Sequence, residues 1–216
     1  MRAMSELKFL LNGDVPGRAT LLLAHGAGAA MDTPFMNVMA EGLAARGLRA
    51  ARFEFAYMAG RRSGGPKRPP PKIELLQEEF RTAIEALACS GPLFIGGKSM
   101  GGRVASLIAD DLWAQERIRG LVCLGYPFHP PNKPEQLRTA HLAGLKTPAL
   151  ICQGTRDPFG TQAEAASYAL SDAVTFCWLS DGDHDLKPRK RVSGLTQEQH
   201  LEAAAEEIAR WVKAAV

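Results

Sequence analysis

Short apolar runs punctuate the chain at residues 7–11, 20–24, 49–55, 93–97, 120–124, 149–153 and 174–179. Most are nearly continuous, as in Leu21-Leu22-Leu23-Ala24 and Leu121-Val122-Cys123-Leu124, rather than alternating apolar with polar. That is the pattern of strands covered on both faces. Between the runs, apolar positions recur at helical period over 34–46, 73–88, 99–115, 161–170 and 197–214. In the last segment Leu201, Ala204, Ala205, Ile208, Trp211 and Val212 share one side, while His200 falls on or near the solvent side. Strand–helix alternation predicts an α/β fold: a mostly parallel sheet of about seven strands with helices on both faces. The first run joins the second too briefly for a crossover helix, so it is expected as an antiparallel edge strand.

Two segments break the rhythm. Residues 59–72 read AGRRSGGPKRPPPK, with no acidic residue. This predicts a solvated, semi-rigid loop of polyproline character. Its cations, Arg61, Arg62, Lys67 and Arg68 among them, could form a basic rim that steers anionic substrates. Residues 126–145 carry Pro127, Pro130, Pro131 and Pro134. They have room for one short helix but not for a cap domain.

Bulk properties narrow the function classes. With 216 residues, the chain suffices for a single domain, residues 1–216, with a core that needs neither metal nor disulfide. The net charge of +3 is too small to argue for nucleic acid. The first residues lack the apolar stretch of a secretion signal, and no apolar run approaches the roughly 18 residues of a membrane span. A cytoplasmic protein without membrane or nucleic-acid partners is expected. Cys89, Cys123, Cys152 and Cys177 form no Cys-x-x-Cys pair and read as small hydrophobes, three of them inside strands. No metal or organic cofactor is expected.

The chemical signal lies in Leu93-Phe94-Ile95-Gly96-Gly97-Lys98-Ser99-Met100-Gly101-Gly102-Arg103. An apolar strand runs into Gly-x-Ser-x-Gly and then into an amphipathic helix, the context of a nucleophile elbow. Such a turn is strained and crowded, so the positions two away from the serine must be small. Gly97 and Gly101 meet that demand. The letters Gly97-Lys98-Ser99 also suggest a phosphate loop, but that loop needs glycine five residues before Gly97, where Pro92 stands.

A serine hydroxyl needs a general base, and the base needs an orienting acid. In an elbow enzyme they follow in the order Ser, Asp, His at strand ends. Asp157 follows the strand at 149–153, and His184 follows the strand at 174–179. His25, His129 and His141 precede Asp157, which leaves His184 as the base. Asp181, Asp183 and Asp185 lie too near His184 in sequence to orient it, though they could raise its basicity. For the oxyanion, the N–H groups of Met100 and Ala27 are the expected donors, with Gly28 as the alternative to Ala27, because His25-Gly26-Ala27-Gly28 leaves its strand through small residues. Gly28, Arg61, Arg62 and His129 are the candidate substrate contacts.

From that turn to the last helix, the chain resembles the α/β-hydrolase superfamily. More narrowly, Phe55-Ala56-Tyr57-Met58, Arg61-Arg62 with Arg68-Pro69-Pro70, and Tyr126-Pro127-Phe128-His129-Pro130 resemble small lidless bacterial hydrolases near the dienelactone-hydrolase group. The hydrolase-like subunit of a chromatin-acetylating complex belongs to the same neighbourhood. Dienelactone hydrolases use cysteine where this chain has Ser99, so dienelactone is not the expected substrate. The resulting expectation is a carboxylesterase-like serine hydrolase, monomeric or homodimeric, acting on a small-molecule ester of a short acyl group. The alternatives are a thioesterase or peptidase using the same residues, or a non-catalytic interaction module on the same fold.

Overall fold

The computed structural model describes residues 7–13 and 15–216. Seven strands, β1 (Phe9–Asn12), β2 (Thr20–Ala24), β3 (Arg49–Phe53), β4 (Leu93–Lys98), β5 (Gly120–Leu124), β6 (Ala149–Gly154) and β7 (Val174–Leu179), form one sheet. Their order is β1-β3-β2-β4-β5-β6-β7. All neighbours are parallel except β1, which runs antiparallel to β3 at the edge, Phe9 opposite Phe53.

The continuous apolar runs make sense on this sheet. Successive strand residues face opposite ways, so a strand covered on both faces must be apolar throughout. In β2, Leu21 and Leu23 join one core with Met36, Leu43, Leu201 and Ile208. Leu22 and Ala24 join the other, with Phe80, Val104 and Ile108. Each fully buried leucine contributes about 1.5–3 kcal/mol relative to exposure. Helices α1 (Pro34–Ala45) and α7 (Gln197–Ala214) supply the first layer; α3 (Ile73–Ala86) and α4 (Met100–Ala114) supply the second. The Thr33 hydroxyl caps α1 by accepting from the Met36 N–H. Thr196 and Gln199 form a reciprocal capping box at the start of α7.

The site is placed by a reversal of direction. After β2 the chain steps outward to β3, then crosses back to β4 on the other side of β2. The helix that follows β2 covers one face, and the helix that follows β4 covers the other. Their connecting loops therefore diverge at the carboxyl ends of β2 and β4, the place where open sheets of this kind bind their ligands. Between β5 and β6, residues 126–145 form only turns, so no cap arises there.

Three local differences from the sequence reading have physical causes. The strand expected to reach Phe55 ends at Phe53, and a helix, α2 (Ala56–Arg62), occupies the start of the segment read as loop. Seven residues are too few to be helical alone. Tertiary partners hold them: the Glu79 carboxylate accepts from the Ala56 N–H, and Arg62 in the last turn forks onto Glu54. The helix expected over 161–170 shrinks to α5 (Gln162–Ala165). Just beyond it, the Ser167 hydroxyl takes the Glu164 carbonyl, and the Tyr168 ring turns onto Phe128. His200 is buried rather than on the solvent side, because its Nδ1 donates to the Leu186 carbonyl of the loop that packs on α7. A one-turn helix in that stretch, α6 (Lys190–Ser193), had no periodic signal to announce it.

Candidate active site

Ser99 sits between β4 and α4 with φ 51° and ψ −116°, a backbone conformation unfavourable for any residue with a side chain. The surroundings enforce it. The Ser99 N–H donates to the Leu124 carbonyl at 2.9 Å. A Cβ on Gly97 would stand 2.5 Å from the Ala24 carbonyl oxygen, and a Cβ on Gly101 would meet the same oxygen at 2.5 Å. Only glycine at both positions lets the turn close against the end of β2. Met100 opens α4, so its N–H has no partner within the helix.

From the Ser99 hydroxyl a hydrogen-bonded relay runs inward. His184 Nε2 lies 2.8 Å from Ser99 Oγ, and His184 Nδ1 lies 2.8 Å from Asp157 Oδ2. A carboxylate only accepts, so Nδ1 carries the proton and Nε2 accepts from the hydroxyl. Asp157 is fully buried, and both its oxygens have further donors. Oδ1 accepts from the Phe159 N–H at 2.8 Å, and Oδ2 also accepts from the Gln153 amide at 2.9 Å. The Phe159 ring lies against the imidazole, centroids 4.1 Å apart. The aspartates beside His184 shape its loop instead. Asp183 accepts from the N–H groups of Asp185 and Lys187, and Asp181 pairs with Arg189.

Two residues that the sequence reading passed over hold this relay. Gln153 is buried at the end of β6; its amide oxygen accepts from the Tyr126 N–H at 2.7 Å, and its nitrogen reaches Asp157, the Tyr126 carbonyl and the Gly160 carbonyl. Lys98, noted only as a letter of the rejected phosphate loop, has its side chain 9% exposed beneath His184. Its Nζ donates to the His184 carbonyl at 2.7 Å and pairs with Asp185 at 3.2 Å. Burial holds this ammonium below the usual lysine range, offset by the charge of Asp185. A lysine followed by the elbow serine, with acids flanking the histidine, is the signal that could have found this tether.

The loop after β2 runs past the same serine, with Gly26 packed near Ser99 Cβ. The Phe55 N–H donates to His25 Nε2 at 3.2 Å, so Nδ1 is protonated and donates to the Gly26 carbonyl at 2.6 Å. Burial lowers the His25 pKa and keeps the ring neutral. The Tyr57 hydroxyl donates to the Ala27 carbonyl at 2.9 Å. In a trans peptide the carbonyl and the next N–H point in opposite directions. Gripping the Gly26 and Ala27 carbonyls therefore fixes the Ala27 and Gly28 N–H groups. Farther along, Arg62 bridges Asp32 and the buried Glu54, while Glu54 accepts from the Met31 N–H and Arg52 reaches the Met31 carbonyl.

Arg61 and Arg62 lie in the last turn of α2, with Arg62 committed to its two carboxylates. His129 is buried, with Nδ1 donating to the Pro130 carbonyl and Nε2 3.6 Å from Glu164. Gly28 and Ala27 are exposed at the loop tip.

Known proteins share this arrangement of chain. The family model described as "Alpha/beta hydrolase domain" matches residues 17–213. A dienelactone hydrolase from Anabaena variabilis superposes with a TM-score of 0.70 at 21% identity, covering 98% of this chain and 93% of its own. A lidless α/β serine hydrolase from Xanthomonas campestris gives 0.67 at 18% identity, covering 95% and 89%. Est1E from Butyrivibrio proteoclasticus gives 0.67 at 15%, covering 97% and 94%.

Proposed function

The chain belongs to the alpha/beta hydrolase family, and on that premise we propose that it is a carboxylesterase-like serine hydrolase whose attacking group is Ser99. The observation that carries this reading is the relay of 2.8 Å and 2.8 Å that ends on a hydroxyl held in a strained turn. His184 takes the Ser99 proton as Oγ adds to the ester carbonyl. Asp157 fixes the tautomer and stabilises the imidazolium. The N–H groups of Met100 and Ala27, with Gly28 as the alternative to Ala27, receive the oxyanion; one such donor contributes on the order of 3 kcal/mol to the transition state. As the tetrahedral adduct collapses, His184 gives its proton to the leaving alkoxide. Water then adds to the acyl-enzyme by the same route and releases the acid. No step calls on a cofactor.

The lack of a cap over 126–145 favours small or short-chain acyl esters on a single domain. A p-nitrophenyl ester series of increasing acyl length, paired with a fluorophosphonate probe, tests the proposal. Labelling at Ser99, turnover greatest for short chains, and loss of both in Ser99→Ala are expected. An unlabelled Ser99 in the folded protein, with ester turnover equal in Ser99→Ala, sinks the proposal and leaves an interaction module on this fold. Thioester and aminopeptide substrates at matched concentration separate the remaining chemistries.

A further inference from the structure

Arg103, one turn along α4 from Ser99, and Arg138, in the segment between β5 and β6, have no counter-charge among the described residues. Neither the Arg103 nor the Arg138 guanidinium has a hydrogen-bonded or ion-paired partner among the described residues, and Arg103 Nε is buried and unsatisfied. The two lie on facing elements. The Arg103 N–H donates to the Ser99 carbonyl at 3.1 Å, so Arg103 sits directly above the serine on the helix. Ser106, three residues on, shares that helix face; its hydroxyl donates to the Arg103 carbonyl at 2.8 Å and meets Tyr126 at 3.4 Å and His141 at 2.8 Å. The Tyr126 hydroxyl in turn donates to the Arg138 carbonyl at 3.2 Å.

The charges around this pair do not neutralise it. Asp110, the acid that His141 senses, is committed to the Lys146 and Thr147 N–H groups and the Thr147 hydroxyl. Burial and then the nearby Arg103 charge lower the His141 pKa, so that ring stays neutral. Arg138 is itself held below the ordinary arginine range, by burial first and then by Arg103. Two half-buried guanidinium groups repelling each other disfavour the folded chain unless something anionic sits between them.

We propose that Arg103 and Arg138 form the recognition site for an anionic oxygen group, carboxylate or phosphate, carried by the substrate that Ser99 attacks. Arg103 stands one helical turn, about 5.4 Å, from Ser99 along α4, a span that a short anionic arm on the substrate covers. Arginine forks suit both kinds of oxyanion. The site therefore selects esters with a charged end a few bonds from the scissile carbonyl. This deepens the hydrolase reading and rests on it for the role of Ser99.

Two kinds of measurement on the whole protein test the site. The first is turnover of the mono-p-nitrophenyl ester of succinic acid against its uncharged methyl ester, with the 3-phosphonopropionate ester as the phosphate-like arm. A preference in kcat/KM of about tenfold or more for a charged ester is expected. That preference should fall toward unity in Arg103→Met and Arg138→Met and be partly kept in Arg138→Lys. Whichever charged arm is preferred identifies the oxyanion. The second is calorimetric binding of succinate and of inorganic phosphate, which needs no turnover. Saturable binding of either that is lost in both methionine variants supports the site, even if no ester is cleaved and the Ser99 reading fails. Neutral esters cleaved as well as charged ones, with neither anion bound, overturn the site and leave the hydrolase reading standing. Removing an unpaired cation should not lower the melting temperature. Variants that melt lower yet keep their substrate preference would mark the arginines as structural and also overturn the proposal.

Discussion

Ser99 combines its proposed chemistry with conformational strain, and the two can be separated by substitution. Glycine tolerates φ 51°, ψ −116°, whereas serine at such an angle costs about 1–3 kcal/mol. Ser99→Gly should therefore abolish ester turnover while raising the melting temperature, as calorimetry can show. Gly97→Ala should instead fail to fold or melt far lower, because its Cβ would stand 2.5 Å from a backbone oxygen. Asp157→Asn keeps the shape of the buried group but offers the imidazole an amide, favouring the wrong tautomer; kcat should drop by orders of magnitude, on the order of 10⁴ where this change has been made in a serine protease, with KM little moved. Gln153→Leu leaves the Tyr126 N–H and the Gly160 carbonyl without their partner in a dry interior, a loss of about 1–3 kcal/mol in chemical denaturation.

At the scale of elements, the seventh-strand loop and α2 carry the support that the sequence did not show. Lys98 ties the carbonyl of His184 to the elbow, so Lys98→Met should loosen the histidine and lower kcat, with Lys98→Arg recovering part of it. Arg62→Met would strand the Glu54 carboxylate, whose side chain is 4% exposed. Because Arg62 itself is 45% exposed, solvent relieves part of that loss, and about 1–3 kcal/mol is expected from thermal melts. Why these residues stayed hidden is physical. Ser99, Asp157 and His184 each follow an apolar strand and lie within two residues of glycine or proline, so their convergence shows in local spacing. Gln153, Tyr57, His25 and Lys98 act through partners far away in sequence, and a polar letter beside a strand says nothing of what it will touch. The sheet was legible because both-face burial leaves continuous apolar runs. Helix α2 was not, because Glu79 and Glu54 stabilise it from outside its own sequence.

For the molecule as a whole, acid should act through carboxylates tied down on several elements. Asp32 is held below the usual carboxylate range by Arg62, Glu164 by the Thr161 N–H and hydroxyl, and Asp181, down to about 2, by Arg189. Each gives stability that is present above the unfolded pKa and lost as pH falls through the folded one. Melting temperature should therefore fall between about pH 4 and pH 2, with a slope that Arg189→Met reduces. This loss concerns the fold and is separate from any effect on turnover.

The strained turn has a last consequence, for lineages rather than molecules. Mutations at most buried positions are purged because they unfold the chain. A lineage that lost the side chain at position 99 would inherit a sturdier protein. Folding exerts no pull to keep serine there, so on the hydrolase reading only its attack on substrate holds it in place.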